Sequence, residues 1–173
     1  MTRVIASNSD VQAFIEEYFE AWSGTDEDLI LSYYSDNISL EIPGTLMNGK
    51  AALRDQFVRP FVAGFPGNHH VVKNMIFGKD VVVVEWNFEA THKGAFAGTA
   101  ATGSAVKISG CGVYQFDSVA RQVTVARIYF DVTALLKQIS SHQPQVLQNL
   151  LIGWYAARTY PQSGSTSGHA RSH

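Results

Sequence analysis

The chain has 173 residues, 46% of them hydrophobic, and a formal charge of −2 at pH 7. That length suits one domain with ample material for a core, and the charge leaves no electrostatic footprint for nucleic acid or an anionic membrane. Cys111 is the only cysteine, which excludes an intrachain disulfide and a cysteine-based zinc site.

Val11, Phe14, Ile15, Tyr18, Phe19 and Trp22 recur at helical spacing, with Ser9 and Gln12 as a capping box and Gly24 as the stop. A shorter helix from Thr25–Asp28 carries Leu29 and Tyr33 and breaks at Ser35-Asp36-Asn37. NISLEIPG alternates Ile38, Leu40 and Ile42 with polar residues and predicts a short strand. A third helix is expected from Gly49 to about Val58, with Pro60 disturbing its continuation. After Phe65-Pro66-Gly67 the pattern turns to β, with strands expected at 71–77, 81–92, 105–116 and 122–130. Their short links make the meander antiparallel. Helices first and a meander afterwards predict an α+β fold, the helices covering one face of a sheet. From Pro144 a further amphipathic helix is expected, and the final SGSTSGHARSH reads as disordered.

Asp131 ends an apolar strand, where burial would raise its pKa and suit it to proton transfer; its ordinary alternative is a helix N-cap. Val82, Val84, Trp86, Phe88, Ala90 and His92 share one strand face, so Trp86 and Phe88 are candidates to line a pocket with His92 at its polar end. A lone histidine on such a face is ordinarily structural. His69 and His70 point to opposite faces and cannot readily share a metal, although His70 can reach a cavity if it is not simply solvated. Tyr33, Tyr114 and Tyr129 each offer a phenolic hydrogen bond. Tyr129 is the best placed because it shares parity with Asp131, as does Arg127. Glu41 is a candidate second carboxylate, with solvation as its default. ATGSAVK is not a phosphate loop, and GxGxxG and GxSxG are both missing, which disfavours nucleotide binding and a hydrolase triad. MTRVIASNSD lacks an apolar signal core and no run approaches the roughly 18 apolar residues of a membrane span, so a cytoplasmic protein without membrane contact is expected.

The order of elements resembles the nuclear-transport-factor-2-like fold, a cone of curved antiparallel sheet covered by N-terminal helices. Within it, THKGAFAGTAATG resembles the TH-x-G-x-F-x-G-x-x-(P/A)-TG motif of SnoaL-like polyketide cyclases and ester cyclases. YFDVTALLKQI resembles that family's closing D-x-x-x-L-L-x-Q-L-G, and PGTLMNGKAALRDQF its pocket-rim strand and Gly-initiated helix. Gln138-Ile139-Ser140 replaces the closing QLG, and a histidine frequent early in the family's last strand is missing. The resemblance implies a cavity for an apolar, oxygenated small molecule and cofactor-independent acid/base chemistry. It makes Asp131 the general acid/base of an aldol-type cyclisation or an isomerisation, and His92 a pocket residue. It also implies a homodimer formed through the outer sheet face. Residues 1–141 would form the domain, 142–160 a helical extension and 161–173 a disordered tail. Epoxide opening or dehydration on the same fold, and a non-catalytic binding module, are the alternatives.

Overall fold

The structure, a computed structural model, describes residue 5 and residues 7–159, so the expected tail at 161–173 lies outside the described residues. Helix α1 (Asn8–Ser23) has its cap two residues before the expected Ser9. Ser7 is its cap: the hydroxyl accepts from the Asp10 N–H at 3.3 Å and donates to the Asp10 carboxylate at 2.8 Å. The expected apolar stripe is buried along its whole length. Asp26 caps α2 (Glu27–Ser32) by accepting from the N–H groups of Asp28 and Leu29.

Strand β1 (Tyr34–Ile42) is longer than expected and turns at Pro43-Gly44 into β2 (Thr45–Asn48), a strand the sequence pattern did not announce. The third helix then runs past Pro60. It passes from α3 (Lys50–Leu53) through a π-helical turn at Arg54–Val58 into α4 (Arg59–Gly64). Pro60 takes the second position of α4, directly after the wide turn, where the break from regular α-helical bonding lets the chain continue despite the proline's missing N–H. Outside, Arg54 meets Asp28 at 2.6 Å and Arg59 meets Glu27 at 3.4 Å, tying this arm to α2. Exposed pairs of this kind add little stability.

Strands β3 (His69–Gly78), β4 (Val81–Thr91), β5 (Ala105–Asp117) and β6 (Gln122–Phe130) form the expected antiparallel meander. The six-stranded sheet has the order β2-β1-β6-β5-β4-β3 and remains unclosed. One pairing departs from the expectation of a wholly antiparallel sheet: β1 lies parallel to β6. The two are far apart in sequence, so no tight turn forces them antiparallel. Register shifts at Val72/Asn74 and Gln115/Phe116 bend the sheet. Its concave face packs on α1 and on the α3–α4 arm, and α5 (Val132–Ile139) and α6 (Gln145–Thr159) follow β6. Gln138 joins α5 to β5, its amide accepting from the Lys107 N–H at 2.7 Å and donating to the Lys107 carbonyl at 3.0 Å.

Two glycines shape the concave face. A Cβ on Gly110 would sit 2.3 Å from the Trp86 ring, and one on Gly112 would sit 2.3 Å from the Tyr114 hydroxyl. Gly110→Ala is therefore expected to destabilise the protein by about 1–3 kcal/mol, an overpacking cost measurable by urea denaturation. Gly153, in α6 with nothing within 4 Å of its would-be Cβ, should behave oppositely. Gly153→Ala should strengthen that helix by up to about 1 kcal/mol, read as slower amide exchange across α6.

Candidate functional site

The concave face, α1 and the α3–α4 arm enclose a chamber of about 70 Å³. Helix α1 supplies Tyr18, Phe19 and Trp22, and the arm with its following turn supplies Phe57, Phe61 and Phe65. The sheet adds Tyr34, Leu40, His70, Trp86, Phe88, Ile108, Tyr114, Ile128 and Phe130. Phe96 and Leu135 close it. Among the described residues no carboxylate, lysine or arginine is on this wall.

The polar groups in the chamber divide into two sets. The first is internally satisfied: the Tyr18 and Tyr34 hydroxyls hydrogen-bond to each other, and the Trp22 indole N–H donates to Tyr34 at 3.1 Å. Burial pushes the Tyr18 phenol up to about 12, and Tyr34 and Tyr114 are raised well above the usual phenol range for the same reason. These hydroxyls therefore stay protonated at neutral pH. The second set is unsatisfied. Trp86 Nε1 and His70 Nδ1 are both buried without a hydrogen-bond partner. Trp86 Nε1 makes a weak hydrogen-bonding contact with the Tyr114 hydroxyl, which lowers that phenol's pKa against the larger rise from burial, but it meets no partner at full hydrogen-bond geometry.

His70 is held there from three sides. Its backbone N–H donates to Ser23 Oγ at the end of α1, it pairs in register with Phe88, and its ring is boxed by Phe19, Phe61, Trp86 and Phe88 at centroid distances of 5.1–6.2 Å. Burial, with a smaller contribution from neighbouring His69, lowers its pKa to about 3, so the imidazole is neutral at pH 7. His69 is exposed on the opposite face, as the alternation requires.

The expected site residues divide between the chamber and places outside it. Phe88, Trp86, Tyr114 and His70 line the chamber together. His92 is fully buried but stands behind the wall, 5.5 Å from the Phe65 ring centroid. Its Nδ1 bonds Thr102 Oγ1 at 3.0 Å, and that hydroxyl donates to Ser104 Oγ. Burial lowers its pKa, offset in part by the Gly94 carbonyl. Tyr33 packs against Phe14 and Tyr18 outside the lining. Tyr129 is 52% exposed and lines a hollow on the convex face with Ile76 and Cys111. Tyr129 and Asp131 do share a side, but it is the outer one, because Ala126, Ile128 and Phe130 turn inward. Asp131 is exposed and caps α5, accepting from the Ala134 N–H at 2.8 Å. Glu41 is likewise exposed, in register with Arg127. Asp131 borders a groove of about 230 Å³ between α5 and α6, not the chamber.

Phe57, Phe96, Phe130 and Leu135 separate the chamber from a larger vestibule of about 480 Å³, roofed by Trp154 and Tyr155 of α6. Most of the aromatic lining was legible only as core: Tyr18, Phe19 and Trp22 form the same helical stripe whether they enclose a void or fill it. Among the described residues no group of three His, Cys, Asp or Glu side chains is arranged to hold a metal.

Because the His70 pKa is depressed on folding, the unfolded chain takes up this proton near pH 6.5 while the folded one resists it to about pH 3. Stability from this residue is intact above pH 6.5 and falls as the pH drops, by about 2 kcal/mol at pH 5. Denaturation at pH 7 and pH 5 should show this loss in the wild type and a smaller one in His70→Phe.

The sequence profile of the SnoaL-like polyketide cyclase family matches residues 12–139. No curated protein matches the chain in sequence. Among solved structures, a protein of Jannaschia sp. CCS1 assigned as a SnoaL-like polyketide cyclase is similar with a TM-score of 0.68 at 20% identity, over 82% of this chain and 98% of that one. AclR of Streptomyces galilaeus, assigned as a hydroxylase, gives 0.68 at 21% identity over 87% and 95%. SalBIII, an epoxide hydrolase/cyclase-like enzyme in pyran ring formation of the polyether salinomycin, gives 0.62 at 20% over 74% and 95%. At these identities the structural likeness speaks to the fold. With its profile match running from the first helix to the end of α5, the chain belongs to the SnoaL-like polyketide cyclase family.

Proposed function

We propose that the protein is a cofactor-independent enzyme that cyclises or isomerises an uncharged, apolar, polyketide-like small molecule through an enol or enolate. The observation that carries this is a single one: an aromatic chamber whose unsatisfied polar atoms, among the described residues, are a neutral imidazole nitrogen and an indole N–H. In such a site the Trp86 N–H stabilises the oxygen of a forming enolate, and His70 moves the proton. The negative charge that develops on the oxygen as the proton leaves also raises the imidazole pKa from its resting value, so that the base strengthens as the enolate forms. The chamber walls exclude water and hold the reacting end in place.

A second assignment of the proton shuttle keeps Asp131 in the role the family resemblance implies, acting on substrate that extends into the groove between α5 and α6. The groove favours it, since it shares Phe130, Val132, Leu136 and Tyr155 with the vestibule. Epoxide opening by an Asp-Arg-Asp set has less support, because none of those residues lines the chamber. We also propose a homodimer through the convex sheet face, where Ile76 and Tyr129 are exposed.

Turnover of uncharged aromatic polyketones, followed by mass spectrometry of the products, tests the enzyme and its shuttle together. His70→Phe should lower kcat/KM roughly 100-fold or more. Asp131→Asn should leave it within a few-fold and leave the fold intact, since Asn caps a helix as well as Asp. The reverse result, with Asp131→Asn inactive but folded, assigns the proton transfer to the aspartate. A ligand that binds and returns chemically unchanged in every assay makes the protein a binding module.

A further inference from the structure

We propose that the chamber selects the uncharged, oxygen-bearing end of its ligand, one carbonyl or hydroxyl oxygen held jointly by Trp86 and His70, with the rest of the molecule in the vestibule beneath α6. This deepens the small-molecule reading above and rests on it.

Trp86 is only 5% exposed, and its Nε1 can only donate. Left unmatched, such a buried group costs about 1–3 kcal/mol, and the partnerless Nδ1 of His70 adds a second demand of the same kind. A carbonyl oxygen has two lone pairs and meets both in the tautomer whose Nδ1 carries the imidazole proton; a hydroxyl or enol accepts from Trp86 and donates to Nδ1 in the other tautomer, the one that leaves Nδ1 free as a base. A purely apolar group meets neither. A carboxylate or ammonium would be desolvated against seventeen lining residues that include no lysine, arginine, aspartate or glutamate.

Size fixes the orientation. At about 70 Å³ the chamber falls well below the roughly 300 Å³ where drug-sized sites begin, so it takes an end and not a folded polycycle. The vestibule, at about 480 Å³, has room for the remainder and shares the walls Phe57, Phe96, Phe130 and Leu135. Gly110 holds the indole in place, since the ring occupies the space its Cβ would fill.

Calorimetric titration of the full chain with acetophenone, ethylbenzene, benzoate and 4′-butylacetophenone tests this. Acetophenone should bind roughly tenfold or more tighter than ethylbenzene, and benzoate should not bind at pH 7. The butyl ketone should bind roughly tenfold or more tighter than acetophenone. Trp86→Phe, and independently His70→Phe, should erase the ketone preference while ethylbenzene still binds. Ethylbenzene binding as tightly as acetophenone, absence of binding by every probe, or a preference that survives both variants overturns the selection. A butyl ketone no better than acetophenone overturns the placement in the vestibule. Turnover is not read here, so a preserved preference without catalysis removes the enzymatic reading alone, and catalysis without the preference removes this proposal alone.

Discussion

Gly110 and Gly112 allow the concave sheet to carry two large rings where strand β5 would otherwise present side chains. Trp86 lies over the first and Tyr114 folds back over the second. Each glycine weakens its strand by roughly 0.5–1 kcal/mol. Each buried ring withdraws roughly 150–250 Å² from water, worth about 4–6 kcal/mol at 25 cal/mol per Å². The exchange favours the rings, and the chamber is what their edges leave unfilled. Without Gly110 the indole could not lie against β5, and without Gly112 the Tyr114 ring could not fold back over its own strand.

The family motifs and the chamber chemistry fall on different residues. In the first motif, His92 is tied to Thr102, and Gly94 is required because a Cβ there would lie 2.0 Å from the Ala63 carbonyl. Gly98 and Gly103 take positive φ values of 76° and 70°. In the closing motif, Asp131 caps a helix, Leu135 and Leu136 bury it, and Gln138 satisfies the Lys107 backbone beyond the reach of β6. These are the tasks of closing a cone. His70 and Trp86, which bear the unsatisfied atoms on the chamber wall, belong to neither motif, while the motif's His92 keeps a buried Nε2 without a partner behind that wall.

That division explains what the sequence made legible. Strand β4 could be read residue by residue, because Val82 to His92 alternates cleanly and only one parity is apolar throughout. Strand β6 could not, because Val123 and Val125 on one parity compete with Ala126, Ile128 and Phe130 on the other. Arg127 was the available clue: an arginine sharing parity with Tyr129 and Asp131 marks that side as the wet one. Strand β2 escaped notice because four residues after a Pro-Gly turn carry too little periodicity. The cap at Ser7 was missed in favour of Ser9 because both serines precede the same stripe, and only the backbone shows which one turns. A void is a property of three packed layers, and no periodicity encodes it.

The loop bearing Phe96 is pinned at both ends. The His92 N–H donates to the Ser104 carbonyl and the Gly103 N–H to the His92 carbonyl, while Lys93 and Gly94 both donate to the Gly64 carbonyl. Gly64 itself is pressed against Phe96, its would-be Cβ only 2.9 Å from that side chain. A segment fixed in this way does not swing as a hinge. For the ligand proposed above, passage between vestibule and chamber would fall to rotation of the shared Phe57, Phe96 and Phe130 rings in place of a moving lid.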